Sequence, residues 1–373
     1  MKKIGICTFY NNNNYGSYLQ SYALLNKVRS LGYDAYIIDF KDYSKSWNRR
    51  IRNITILNRL KCIIGHPMLL LETVKARFVS KASTKCSPNL AHKFTDFSNR
   101  HLSFYSGDYT DGSFHAFIAG SDQVWKITLP GLHYVFFLQF CCTEKRISYA
   151  ASLGSDKIPN FNRKVLCRYL KSFKAISVRE DSAIELLNSL GLKLPLVQVL
   201  DPVLLVGEKF WLKAINPEPI TTGYVFLYFL DPLNDNVHIL NRILARYSHC
   251  KILMIDTGVR LNDVVGIKYI EPTPLEFVSL IKNSDVVVTD SFHGTAFSLL
   301  FTKEFYVIPR NYSIYPGQRD RLLSLLRMFN CSTRYIDNLQ LIDIIDPIDP
   351  LYLRTVLDEQ QKQSNEFLVE SIL

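Results

Sequence analysis

A chain of 373 residues that is 47% hydrophobic and 21% charged, with 15 prolines and 16 glycines, is long enough for two cores and is neither disordered nor fibrous. Its eight cysteines form no CxxC pair and no repeated spacing, which excludes a zinc ribbon or a disulfide framework. Cys7 and Cys250, in or beside strand-like runs, read as small buried hydrophobes in a reducing compartment. The net charge of +10 is concentrated in residues 41–93, where twelve Lys/Arg stand against only Asp42 and Glu72, and no run approaches the roughly 18 apolar residues of a membrane span.

In chain order, KIGICTF reads as a buried strand followed by an Asn-rich turn. Its apolar run is too short for a secretion signal, so a cytoplasmic chain is expected. A helix follows with apolar positions at Leu19, Ala23, Leu24, Val28 and Leu31 and closes at Gly32; AYIID is the second strand, completing a β-loop-α-β opening. Residues 41–93 read as a basic helical insertion in which cations interleave with Ile54, Ile56, Leu57, Leu60, Ile63 and Ile64. That pattern suits either a peripheral contact of residues 45–93 with anionic lipid or a solvated, partly buried insertion. A nucleic-acid partner is not expected, because no binding motif accompanies the basic segment.

FHAFIAGSD (114–122), RISYAASLG (146–154) and AISVRED (175–181) read as further strands, the last running into a helix from Ser182 to Leu190. Residues 200–222 carry the linker candidate, and the alternation resumes with YVFLYFL, KILMIDT, a helix from Pro274, DVVVTD, a helix opening at Gly294, and FYVIP. The expected fold is α/β, with two Rossmann-like lobes facing a cleft in the manner of the glycosyltransferase B class. Residues 1–205 form the N-terminal lobe with the basic insertion, 222–345 the C-terminal lobe, and 346–373 a helical tail.

The sharpest chemical signal is VVVTDSFHGTAFSLL, an apolar strand that turns into a helix through Asp290, Ser291, Phe292, His293, Gly294 and Thr295. Amides at such a helix start suit phosphate or carboxylate, and His293 beside them reads as a general acid or anion partner, or else as a helix-start histidine bonded to backbone. Two other strand ends present small and amide residues. In Gly120, Ser121, Asp122 and Gln123 the polar groups can bond sugar hydroxyls, with Asp122 alternatively a helix cap; Asn14, Tyr15, Gly16 and Ser17 read as ligand contacts or as a turn with its N-cap. Arg179 in SVRED can clamp an anion bidentately or pair with Glu180 or Asp181. Arg310, Arg319 and Arg321 are further cations within range of an anion site.

Taken together, NNYGSYLQSYAL, FIAGSDQVW, SYAASLG, ISVRED with DSAIELLNSLG, LDPVLL and DVVVTDSFHGTAFSLLFTKEFYVI resemble the polysaccharide pyruvyl transferase family, in order over residues 1 to about 330. The resemblance implies a two-lobed fold, no metal and no cofactor. It also implies phosphoenolpyruvate as co-substrate, bound on the C-terminal lobe, and a glycan or lipid-linked oligosaccharide acceptor on the N-terminal lobe. In the family an Arg-Leu-His stretch and a separate arginine hold phosphoenolpyruvate; here His293 and Arg179 match the histidine and the separate arginine. Ser291 stands where the first arginine would be, leaving Arg310 or Arg319, or Ser291 with the amides near Gly294 and Thr295, to hold the donor anion. A nucleotide-sugar glycosyltransferase and a non-catalytic glycan-binding protein are the alternatives on the same fold.

Overall fold

The computed structural model describes residues 1–66, 87–128, 130–215, 223–233, 236–310, 318–343, 345 and 347–373. Residues 67–86 of the basic insertion and 216–222 of the linker candidate lie outside these.

The opening unit is β1 (Lys3–Cys7), α1 (Tyr15–Ser30) and β2 (Asp34–Ile38). Beyond Lys3 every β1 residue is buried, as a strand covered on both faces must be. The helix α1 starts where Asn14 accepts the Gly16 amide at 2.9 Å, so this asparagine is an N-cap. The insertion contributes α2 (Ser46–Gly65) and α3 (Pro88–His101). Then come β3 (Phe104–Tyr105), β4 (Ala116–Ala119), β5 (Arg146–Ala151), α4 (Asn160–Leu170), β6 (Ala175–Val178), α5 (Asp181–Asn188) and β7 (Leu196–Gln198). These strands form one parallel sheet in the order β3-β2-β1-β4-β5-β6-β7.

Two short helices, α6 (Pro202–Leu205) and α7 (Gly207–Ala214), occupy most of the segment expected to be a linker. Asp201 caps the first by accepting the Val203 amide at 3.0 Å, with Pro202 at the first helical position. The second lobe runs through β8 (Tyr224–Tyr228), α8 (Val237–Arg246), β9 (Lys251–Ile255), β10 (Ile267–Ile270), α9 (Pro274–Asn283), β11 (Val286–Thr289), α10 (Phe292–Leu300), β12 (Glu304–Val307), α11 (Gln318–Met328) and α12 (Gln340–Asp343). Its sheet is also parallel, in the order β10-β9-β8-β11-β12.

The final helix, α13 (Pro350–Ile372), returns to the first lobe. There Gln361 donates to the Leu204 carbonyl, Ser364 accepts the Leu200 amide, and the Ile372 carbonyl meets His115. One apolar cluster fills the first lobe and crosses into the second. Tyr15 carries it over the boundary: its ring stacks on Phe277 at 4.7 Å and its hydroxyl donates to the Pro272 carbonyl at 2.7 Å.

The order of each sheet locates the site. The first sheet reverses direction of growth between β1 and β4, and the second between β8 and β11, and parallel sheets open a crevice at such points, beyond the strands' carboxyl ends.

Candidate functional site

Loops from all four of those strands converge on one cleft of about 350 Å³. From the first lobe it is lined by Phe9, Asn12 and Asn14 after β1, by Ser17 in the first turn of α1, and by Asp122, Gln123 and Lys126 after β4. From the second come Leu230 after β8, Ser291, Phe292 and His293 at the start of α10, Arg310 after β12, and Arg321 on α11. A larger hollow of about 670 Å³ lies between α3 and α9. Two of its polar groups are committed to structure, since Lys93 donates to the Glu271 carbonyl at 2.6 Å and Glu276 closes a capping box with Thr273, and it lies away from both switch points.

His293 belongs to the second lobe yet is set by the first. The helix starts two residues earlier than the expected opening at Gly294, with Ser291 as N-cap, and this puts His293 within the first turn. The side of its ring carrying Nδ1 lies against Gly16 so closely that a β-carbon there would sit 1.9 Å from that atom. Its Nε2 is buried and stands 3.6 Å from the Asp201 carboxylate, long for a hydrogen bond and short enough for a strong charge contact. Asp201 in turn accepts from the Ser121 hydroxyl at 2.7 Å and from Arg179 Nη1 at 3.0 Å. Burial alone would raise the Asp201 carboxyl. The charges of His293 and Arg179 and the Val203 amide outweigh it and hold that carboxyl well below the usual carboxylate range.

The cations fall into two groups. Arg310 is tied down: its Nε lies 3.1 Å from the Asp290 carboxylate and Nη1 3.5 Å from Asp231. Asp290 also accepts the Leu230 and Asp231 amides at 2.9 and 3.1 Å, which pins the β8 and β11 loops together at the switch point; burial still pushes its carboxyl up to about 6. Lys126 and Arg321 are contributed by opposite lobes and enter the cleft together. Burial pushes the Arg321 guanidinium down to about 10, with Arg179 adding to the effect, and lowers the Lys126 amine, with Arg321 adding. In the orientation that satisfies its hydrogen bonds, the Gln123 amide oxygen lies 3.1 Å from the Arg321 nitrogens.

Among the lining residues Asp122 is the carboxylate. Its backbone has φ +72°, the left-handed region that Asp tolerates better than most residues. Its Oδ2 accepts from the Ser17 hydroxyl at 3.0 Å and its Oδ1 from the Gln123 amide at 2.9 Å, so it is a loop residue and not a helix cap.

Of the residues expected from the sequence, Asn14, Ser17, Asp122, Gln123, Ser291, His293, Arg310 and Arg321 line the cleft. The others are placed elsewhere. Arg179 lies one layer behind the wall, 4% exposed, paired with Glu180 at 3.0 Å and Asp201 rather than Asp181, and stacked over Phe292 at 3.9 Å; its Nη2 has no partner among the described residues. Arg319 points away from the cleft, half exposed, to Asp337 at 3.2 Å and over the Tyr335 ring. Tyr15 is a packing residue of the lobe boundary, and Gly16 is the seat of His293. Gly120 packs on Thr8, and Ser121 is fully buried against Asp201. Gly294 packs on Thr289, and the Thr295 hydroxyl is turned back to the Ser291 carbonyl. Lys126 in the cleft and Asp201 behind His293 are placements that the sequence did not signal, although the Asp-Pro pair of LDPVLL marks Asp201 as an N-cap.

The sequence model of the polysaccharide pyruvyl transferase family matches residues 14–312, most of the chain and every strand after the first. This chain belongs to that family. Membership makes it a transferase with a glycan acceptor. No curated protein sequence matches it. Among solved structures it is similar to the UDP-N-acetylglucosamine 2-epimerase from Rickettsia bellii, 12% identical over 100% of this chain and 97% of that one, with a TM-score of 0.53. A UDP-GlcNAc 2-epimerase from Neisseria meningitidis, solved with UDP-GlcNAc, is 12% identical over 100% and 99% of the chains with a TM-score of 0.47. The glycosyltransferase SnogD from Streptomyces nogalater is 11% identical over both full lengths at 0.42. At 12% identity the likeness to the Rickettsia bellii enzyme is one of fold: two Rossmann-like lobes around a cleft.

Proposed function

We propose that this transferase moves pyruvate from phosphoenolpyruvate onto two hydroxyls of one sugar in a surface glycan, such as a capsule or exopolysaccharide, forming a ketal. What carries the reading, beside the family, is the convergence in one cleft of a carboxylate-paired histidine, two cations from opposite lobes and one carboxylate. The donor has a carboxylate and a phosphate. Lys126, Arg321 and the first-turn amides of α10 offer the complementary charge, with Ser291 beside them. The loops of the first lobe, with Asn14, Ser17, Asp122 and Gln123, offer the hydrogen-bonding groups a sugar takes.

The chemistry needs an acid at the methylene carbon of the donor and a base at the acceptor hydroxyl. His293 supplies the proton, the neighbouring carbon becomes electrophilic, and the first hydroxyl adds there while Asp122 receives its proton. The bond to phosphate then breaks, and the second hydroxyl adds at the same carbon. Of the two hydroxyl protons released, one balances the new methyl group and the other the departing phosphate. Asp201 faces the imidazole at 3.6 Å and orients it. The reading takes no metal ion and no cofactor beyond the co-substrate.

Calorimetry with phosphoenolpyruvate and with nucleotide sugars, followed by phosphate release in the presence of oligosaccharide acceptors, tests it. The expected result is phosphoenolpyruvate binding and acceptor-dependent phosphate release that survives a chelator. Binding of a nucleotide sugar alone would instead make the chain a glycosyltransferase, and binding of glycan without turnover a non-catalytic receptor. We further place the acceptor on a lipid carrier and the enzyme at the inner face of the cell membrane; among the described residues no helix is long and apolar enough to cross one.

A further inference from the structure

We propose that the outward face of α2 is a membrane-docking surface that lies flat on an anionic lipid bilayer. The helix has two unlike faces. The inward one is seated on the first lobe: Ile51 and Thr55 are buried, Asn58 donates to the Tyr169 hydroxyl at 3.0 Å, and Arg59 donates to the Pro130 carbonyl at 3.2 Å. The fit is close enough that Gly131, at φ +76°, has no room for a β-carbon, which would meet the Arg59 backbone at 2.5 Å.

The outward face carries Ile56, Leu57, Leu60 and Ile64, exposed by 43%, 55%, 50% and 77%. At 100° per residue these four fall within one arc of about 100°. Arg52 borders that arc on one side, Arg50 and Lys61 on the other, and Arg49 continues it toward the helix start; all four cations are exposed and α2 contains no acidic residue. Large aliphatic side chains turned to water, rimmed by cations, are what an interfacial helix presents to acyl chains and anionic headgroups. A protein partner is a poorer fit, since interface cores favour aromatic anchors and Leu is under-represented among their hot spots. The helix is ~30 Å long, enough for several headgroup contacts.

On the transferase reading, a lipid-borne substrate would pass from this surface to the cleft along the segment after β4. The loop at 130–131 that supports α2 continues from Gln123 and Lys126 in the cleft, and Asn162 of α4 secures it by donating to the Ile127 carbonyl at 2.8 Å. Docking itself is independent of the transferase reading; only this last point rests on it.

Flotation of the full-length protein with vesicles of phosphatidylcholine alone, or of phosphatidylcholine with phosphatidylglycerol, tests the surface. Wild type is expected to float with the anionic vesicles and to be released by salt. The variant Arg49→Glu, Arg50→Glu, Arg52→Glu is expected to bind more weakly by roughly 100-fold or more. Leu57→Ser with Leu60→Ser is expected to weaken binding while leaving the melting temperature unchanged, because both side chains already face water. No flotation with either vesicle, or flotation that neither variant changes, overturns the proposal. Concentration-dependent dimerisation that the Leu variant abolishes, without vesicle binding, assigns the face to a second copy instead.

Discussion

His293 takes its geometry from the Gly16 backbone and the Asp201 carboxylate of the other lobe, so substitutions around it separate chemistry from packing. His293→Ala removes the proposed proton donor and the imidazole opposite Asp201, and turnover is expected to fall about 10²-fold or more with folding intact. His293→Gln keeps a hydrogen-bonding group without proton transfer, and near-normal turnover in that variant would leave His293 a binding role only. The cations divide in the same way. Arg321→Gln should weaken donor binding measured by calorimetry, by about tenfold or more for a lost charge-assisted contact. Arg319→Gln should not, because that side chain is committed to Asp337 outside the cleft. Arg179 sits behind both. Arg179→Ala strands Glu180 and Asp201 as buried carboxylates and is expected to lower stability by about 3–5 kcal/mol in urea unfolding, whereas Arg179→Lys retains the charge and loses the two-pronged fork.

At the level of elements, the N-terminus of α1 is fitted to α10 across the lobe boundary. Gly16 is not in the left-handed region, so alanine there suits the helix, and by propensity alone the change would stabilise it by about 0.5–1 kcal/mol. The β-carbon would instead meet His293 at 1.9 Å. Gly16→Ala is therefore expected to lower turnover and melting temperature together, and the double variant with His293→Ala to recover the melting temperature but not the activity, a coupling that a double-mutant cycle reads directly.

The same elements show what the sequence disclosed. DVVVTDSFHGT was legible as a strand running into a helix because four buried β-branched residues precede Asp, Ser and a capping turn. The strands β3, β7 and β10 were not, being short edge or near-edge segments of two, three and four residues without alternation or full burial. Arg319 and Arg321 are 200° apart on α11, so at most one could face the cleft, and choosing required the helix phase. The apolar positions did not settle that phase, since Arg321 shares a face with Leu325 while Arg319 shares one with Leu322 and Leu326, and all three leucines are buried. Nothing local in the sequence could show that Asp201, Ser121 and Arg179 meet, because their contact depends on sheet order.

Across the whole molecule, two carboxylates near the lobe junction respond to pH in opposite senses. Asp201 in the folded protein titrates well below the roughly 3.9 of an unfolded aspartate. Its ionised form is favoured by folding, so its contribution to stability is full above about pH 4 and is lost as pH falls through the folded value. Asp290 is the reverse: burial lifts it to about 6, the folded state holds its proton more tightly, and its contribution is full below about pH 4 and lost as pH rises toward 6. Urea midpoints measured from pH 3 to pH 7 should therefore show two separable slopes in this protein (~pH 3–4 and ~pH 4–6). Asp201→Asn should reduce the acid slope, to which Asp181 and Asp256 also contribute, and leave the other; Asp290→Asn should reduce the second, which Glu180 shares, on top of a uniform loss because an amide cannot accept the Leu230 and Asp231 amides and hold Arg310 at once. If Asp201→Asn leaves the acid slope unchanged, the carboxylate facing His293 is not held in its charged form by the second lobe, and the pairing on which the proposed acid depends is absent.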